Sequence, residues 1–219
     1  MMLKRAIDIV LAIVGLALVL PMVPMIAFLL KYDSNRPVFY LCDRVGLNGK
    51  RFKMYKFRTM YDEPEAEGPS VCPAGDRRVT RVGHVLRRTK LNELPQLFNI
   101  LKGEMSFVGP RPEAPDLAAH YPPYARAIFT VKPGLVGPNQ ILTRYEEEWY
   151  PPEADPKQYY LESILPQKLP VDLAYVNQSS AWNDLKYLCL GVVATLSWVD
   201  TSVMRSRHIG NGLSSTDGD

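Results

Sequence analysis

The chain has 219 residues, 47% hydrophobic and 22% charged, which suits one ordinary globular domain with a core of its own plus an additional segment. Its net charge of +3 excludes a global polycation, although basic residues cluster between Arg44 and Lys102. Cys42, Cys72 and Cys189 are far apart and odd in number, so they define neither a metal spacing nor a disulfide framework, and a reducing cytosolic setting is expected for the soluble part.

The first element is apolar. Ile9 to Leu30, IVLAIVGLALVLPMVPMIAFLL, carries no charge. About 22 residues at roughly 1.5 Å each reach about 33 Å, enough to cross a bilayer core. The run is too long for the apolar region of a secretory signal, and no small-residue cleavage site follows it. A single spanning helix is the simplest reading. Pro21 and Pro24 inside the run argue against a straight one, because each removes a backbone donor and crowds the preceding turn. Lys4 and Arg5 precede the run and Lys31 follows it, so the positive-inside rule places both ends on the cytoplasmic side. A re-entrant helix, broken at the prolines and leaving by the face it entered, satisfies both facts.

Residues 36–60, RPVFYLCDRVGLNGKRFKMYKFRTM, are rich in aromatic and β-branched side chains and carry a Leu-Asn-Gly-Lys turn at 47–50. They predict a β-hairpin or two short strands. Residues 61–75 contain prolines and glycines and read as a surface loop. Residues 76–90, DRRVTRVGHVLRRTK, predict a basic helix or helix-turn with Val79, Val82, Val85 and Leu86 as its apolar stripe. Leu91, Leu94, Leu97, Phe98 and Leu101 then recur at helical spacing, predicting a helix over 93–102 with Asn92 as N-cap, Pro95 in the first turn and Gly103 at the end. Residues 151–158, PPEADPKQ, form a loop before a helical C-terminal part. The apolar run in 182–199 is too short to span comfortably and reads as a buried or membrane-surface helix. The polar tail from Arg205 is expected to be disordered.

The chemistry concentrates in TKLNELPQLFNILKGEMSFVGPRPE, residues 89–113. Glu93 is placed in the first turn of a helix, where the dipole favours its charged form by about 0.3–1 kcal/mol. Such a glutamate is ordinarily a dipole complement, and a basic run such as Arg77 to Lys90 is ordinarily a solvated face. Their convergence with other cations is what points to a site. Lys56 and Arg58 stand two apart in an apparent strand and project to one side. Arg111 sits between Pro110 and Pro112, a stiff mount for a planar bidentate donor that suits phosphate oxygens. Cations, a carboxylate and a membrane anchor together point to diphosphate chemistry at a bilayer surface.

These motifs resemble the bacterial sugar transferases, the monotopic polyprenyl-phosphate phosphoglycosyl transferases. The resemblance runs from about Leu3 to Thr195 and rests on KRAIDI, the proline-broken apolar segment, residues 36–60, residues 76–113, KPGLVGPNQ and YVNQSSAWNDLKYL. It implies an α+β, mostly helical fold: a re-entrant membrane segment over 1–32, a small cytosolic catalytic domain over 33–200 with a short hairpin and interfacial helices, and a tail over 201–219. It implies transfer of a phosphosugar from a nucleotide-diphosphate sugar, usually a UDP-sugar, to polyprenyl phosphate. This is the first membrane step in making capsule, O-antigen, exopolysaccharide or glycoprotein glycans, at the cytosolic face of the bacterial inner membrane. The implied cofactor is Mg²⁺. The implied partners are nucleotide sugar, polyprenyl phosphate and the membrane, with other glycan-assembly enzymes or a second copy open and no nucleic acid.

Carried over by position, Arg87 and Arg111 bind phosphate, with Lys56 and Arg58 near the site. Gln140, Arg144, Tyr145 and the Glu146–Glu148 run are candidates for sugar specificity, although the acidic run reads first as a solvated helix face. The family pattern has an adjacent Asp-Glu pair, with Asp the usual nucleophile and Glu binding the metal; here the pair is Asn92-Glu93. An amide cannot be the nucleophile. Glu93 therefore stands as the essential acid, as nucleophile or as metal ligand. A second carboxylate (Asp76, Glu104 or Glu113), a single displacement, or an inactive family member that binds lipid phosphate or a partner enzyme remain the alternatives. Cys42 stands where Gln is usual, Val136 where Thr is usual, and Leu20-Pro21 where Ser-Pro is usual.

Overall fold

A computed structural model of the chain describes residues 2–61, 71–144 and 146–196. Most of the expected surface loop (62–70), the specificity candidate Tyr145 and the polar tail lie outside the described residues.

Helix α1 (Met2–Val19) leads through a 3-10 turn (Leu20–Met22) into α2 (Val23–Ser34). Each proline sits in the first turn of its helix, where its missing N–H costs little. The expected break is thus a 3-10 turn. Val19, Met22 and Val23 keep right-handed helical angles, and Met2–Ser34 continues as one apolar helical element of 33 residues.

One stripe of this element faces the rest of the protein. Ala12, Leu16 and Val19 are buried with Cys42, Met54, Leu97 and Ile100, and Ile26 and Leu30 are buried with Phe57 and Leu86. The opposite face, including Val10, Val14, Leu18, Met25 and Phe28, is exposed. Polar contacts fix both ends. The Arg5 guanidinium donates to the Ile100 and Leu101 carbonyls, and Asp8 accepts from Ser106 Oγ and the Phe107 amide, each at 3.0 Å. At the far end Asp33 accepts from the Val82 amide at 2.8 Å.

Strands β1 (Phe39–Val45) and β2 (Arg51–Phe57) pair antiparallel, from Phe39 opposite Phe57 to Val45 opposite Arg51. Asn48 and Gly49, both at positive φ, close the hairpin as the sequence predicts. Helix α3 (Arg81–Arg88) is shorter than its apolar pattern implied. Thr80 caps it, Val79 precedes it in a bridge to Met60, and Val85 is exposed. A 3-10 turn (Leu91–Glu93) separates it from α4 (Gln96–Lys102).

Strand β3 (Ser106–Val108) pairs in parallel with β4 (Gly134–Val136), a pairing absent from the sequence expectations. Between them lie α5 (Pro115–Ala118) and a 3-10 stretch over Pro123–Thr130. A Cβ on Gly134 would lie 2.1 Å from the Gly109 nitrogen, so the two backbones touch. Helix α6 (Pro138–Leu142), then α7 (Pro156–Tyr159), a π turn (Tyr160–Ile164) and α8 (Leu165–Asn177) follow. Tyr160, Ile164, Leu165 and Leu169 build the third core cluster with Leu117, Tyr121 and Ile128. Helix α9 (Ala181–Leu196) closes the described chain. It is not a buried helix: Trp182, Leu185, Val192 and Val193 are exposed.

Candidate active site

A cavity of about 640 Å³ opens between the hairpin, α3, the Leu91–Glu93 turn, the Arg111 segment, α6, α8 and α9. Lys56, Arg58, Arg87, Asn92, Glu93, Arg111 and Gln140 all line it, so the structure brings these predicted residues together. Pro21 and Pro24 belong to the helical element outside it. Of the four departures from the family pattern, Cys42, Val136 and Asn92 line the cavity and Leu20 does not.

Glu93 is not a first-turn residue of a helix capped by Asn92. It ends the 3-10 turn, Asn92 lies inside that turn, and the N-cap of α4 is Pro95 with no side-chain cap bond. The physical reason is Pro95, which starts the α-helix where its fixed φ is favourable and leaves the preceding residues to a tighter turn. A dipole cannot then account for the charge on Glu93. Arg111 can. Its Nη2 donates to Glu93 Oε1 at 2.8 Å and its Nη1 to Oε2 at 3.4 Å, with Lys56 Nζ at 3.9 Å from Oε1. Burial would raise the Glu93 carboxyl, but the Arg111 guanidinium and then Lys56 outweigh it and hold the group far below the usual carboxylate range. The same burial pushes the Lys56 ammonium down to about 8 against the pull of Glu93. Lys90, at φ 59, is lowered by burial as well.

The other predicted cations hold different stations. Arg87 donates to Thr59 Oγ1 at 2.8 Å and to Cys72 Sγ at 2.9 Å, which fixes its guanidinium in the cavity wall. Arg58 donates to the Pro37 carbonyl at 3.2 Å and lies over the Tyr40 ring at 5.2 Å, so it belongs to the rim. Gln140 donates to the Gly134 carbonyl at 3.3 Å. Among the described residues, Gln140 Oε1 and Asn92 Oδ1 are buried without a hydrogen-bond partner. Unpaired buried acceptors are costly and mark places where a ligand can bind.

Of the alternative carboxylates, Asp76 pairs with Arg78 and Glu104 with Lys102, and neither lines the cavity. Glu113 does. It accepts from the Tyr160 hydroxyl, which in turn accepts from Lys168 Nζ at 3.2 Å, and Lys168 pairs with Glu146 at 2.8 Å. Burial, then Glu113, drives the Tyr160 hydroxyl well above its ordinary pKa. Glu146 and the more exposed Glu147 therefore line the cavity, while Glu148 is exposed outside it. Sequence reasoning missed Lys90, Glu113 as a wall residue, Tyr160 and Lys168. A lysine inside the apolar stretch LPQKLPVDL was the available signal for the last.

No cluster of three or more His, Cys, Asp or Glu side chains stands ready for a metal among the described residues. A magnesium ion takes oxygen ligands, keeps several waters and usually borrows substrate phosphates. The Glu93 carboxylate and the orphaned Asn92 Oδ1 fit that sparse demand in company with a diphosphate.

Residues 1–198 match the family of bacterial sugar transferases, and the chain belongs to that family. It is 36% identical over 185 residues to a UDP-N-acetylgalactosamine-undecaprenyl-phosphate N-acetylgalactosaminephosphotransferase of Aeromonas hydrophila, covering 83% of this chain and 41% of that one. It is 36% identical over 201 residues to the UDP-glucose:undecaprenyl-phosphate glucose-1-phosphate transferase of Caulobacter vibrioides, covering 89% and 70%. It is 34% identical over 209 residues to the uncharacterized sugar transferase EpsL of Bacillus subtilis, covering 95% and 94%. The chain thus spans less than two thirds of some longer curated relatives it matches, the Aeromonas protein among them.

Proposed function

We propose that this protein transfers a phosphosugar from a nucleotide-diphosphate sugar, in first place a UDP-sugar, to polyprenyl phosphate. The observation that carries the reading is the ionised Glu93 held by Arg111 and Lys56 inside a cation-lined cavity. Relatives that act on UDP-sugars and undecaprenyl phosphate support it.

The cavity cations can change partners. A diphosphate entering beside Arg111, Lys56 and Arg87 competes for the guanidinium and ammonium groups, which suit phosphate oxygens. As they turn to the substrate, a Glu93 oxygen is released to form a bond with the sugar-linked phosphorus. The bond from that phosphorus to the nucleoside phosphate breaks, and nucleoside monophosphate leaves with the electron pair. An oxygen of polyprenyl phosphate then displaces Glu93 and carries the phosphosugar away. A carboxylate nucleophile splits one hard displacement into two. Mg²⁺, held by Glu93, Asn92 Oδ1 and the diphosphate, would supply charge neutralisation. The tight grip of Arg111 on Glu93 favours a second reading, in which Glu93 stays a ligand and polyprenyl phosphate attacks directly. Incubation with UDP-sugars, Mg²⁺ and undecaprenyl phosphate should release UMP. Mass-spectrometric mapping of a phosphosugar on Glu93 separates the two routes.

We also propose the division of the chain into a membrane segment over 1–32, a catalytic domain over 33–200 on the cytosolic face of the bacterial inner membrane, and a tail. What supports a re-entrant path is that one domain holds both ends of the helical element, through Arg5 and Asp8 at one end and Asp33 at the other, while its outer face is apolar. Cysteine labelling that places residues 1–5 and 31–50 on opposite sides of the membrane would overturn it.

A further inference from the structure

Beside the charged cavity lies a second, apolar space of about 450 Å³ between α1 and α9. Ile7, Leu11, Phe107, Trp182, Leu185 and Leu188 form its apolar walls. The charged groups at its border all have partners: Lys4 pairs with Asp184 at 2.8 Å, and Asp8 accepts from the Ser106 hydroxyl and the Phe107 amide. Phe107 and Leu188 also line the charged cavity, so the two spaces adjoin. Ile7, Trp182 and Leu185 are exposed, as are Leu3 and Val10 on α1 nearby, so the groove opens on an apolar surface.

We propose that this groove holds the head-proximal part of the isoprenoid chain of the lipid-phosphate acceptor, and that it sets the preference for long over short acceptors. The inference rests on the function proposed above. An amphiphile whose phosphate reaches the cations of the cavity must lead its chain out past the shared wall at Phe107 and Leu188. The adjoining groove gives that chain an apolar path and no unpaired charge to cross. Its volume accommodates a few isoprene units, so the remainder of an undecaprenyl chain stays in the lipid. An acyl chain of an ordinary phospholipid has similar apolar chemistry, but nothing ties it to the phosphate-binding cavity.

The test uses the full chain in lipid nanodiscs and an undecaprenyl phosphate carrying a diazirine within its first few isoprene units. Peptide mapping is expected to find the label on Ile7, Leu11 or the 182–188 segment, displaced by unlabelled undecaprenyl phosphate and not by phosphatidylglycerol. Label confined to the outward residues Val14, Leu18 and Phe28, or displaced equally by the phospholipid, overturns the assignment. In detergent, Leu185→Gln should lower the ratio of kcat/KM for undecaprenyl phosphate to that for dimethylallyl phosphate, a one-isoprene acceptor too short to fill the groove, by about tenfold. An unchanged ratio also overturns it. Crosslinking needs no turnover, so a protein that bound the probe here yet released no UMP would sink the proposed reaction and sustain the groove.

Discussion

Arg111 spans both oxygens of the Glu93 carboxylate across 18 positions of the chain, at 2.8 Å and 3.4 Å. Two things follow from one contact. The carboxylate stays ionised at any working pH, and the cation that keeps it so is the one a diphosphate would recruit. Glu93→Gln should lower turnover at least about 10²-fold, measured as UMP release, because it removes either nucleophile or ligand. Arg111→Lys should recover the charge but not the bidentate grip, and should remain strongly impaired. Full activity in Glu93→Gln would remove this side chain from the chemistry.

Lys56 gives the site a basic pH limit. With its pKa brought down to about 8 by burial, the ammonium is lost as pH rises through that value, and kcat/KM for the donor should fall there. Lys56→Arg should shift or abolish that limb. Stability moves the other way. The unfolded chain binds this proton more tightly, so stability should rise between about pH 8 and 10.5 as the buried charge is neutralised. Thermal unfolding of wild type against Lys56→Met across this range checks the sign.

Asp172 supplies the opposite dependence. Burial raises its carboxyl to about 6 from the model-peptide value of 3.8, despite a hydrogen bond from Asn139 and the nearby Lys168 charge. The folded state holds this proton more tightly than the unfolded one. Stability from this group is therefore full below about pH 4 and is lost as pH rises through 6. Asp172→Asn should raise the free energy of unfolding at pH 7.5 by an amount on the order of 1–3 kcal/mol, and should flatten the profile between pH 4 and 6. An unaltered profile would show that Asp172 is not the group responsible.

Lys168 offsets the acids of the far wall. Its side chain is 9% exposed, and it contacts both Glu146 and Tyr160. Lys168→Met removes the cation paired with Glu146 and should destabilise by about 3–5 kcal/mol. Adding Glu146→Gln should recover part of the loss. Calorimetry on the two single variants and the double variant gives the coupling directly.

How far the sequence reached can be judged from these residues. The hairpin was legible because Asn48-Gly49 names its turn and alternating side chains name its strands. The gathering of Lys56, Arg87, Glu93 and Arg111 was legible through motif spacing and family resemblance. The local geometry of Glu93 was not, because a 3-10 turn and an α-helical first turn share a pattern over three residues. The β3–β4 pair was hidden, since three-residue strands have no measurable period. In the sequence Lys4 and Arg5 show only as charges flanking the apolar run; their partners, Asp184 and the Ile100 and Leu101 carbonyls, lie about a hundred residues or more away. The Lys168 network joins positions up to 47 residues apart, and no local signal encodes such a distance.

The backbone seam at Gly109 and Gly134 has an evolutionary consequence. The seam lies two residues from Arg111 and has no room for even a methyl group. A randomised library at position 134, selected for glycan production, should return glycine alone, although that residue carries no reactive atom.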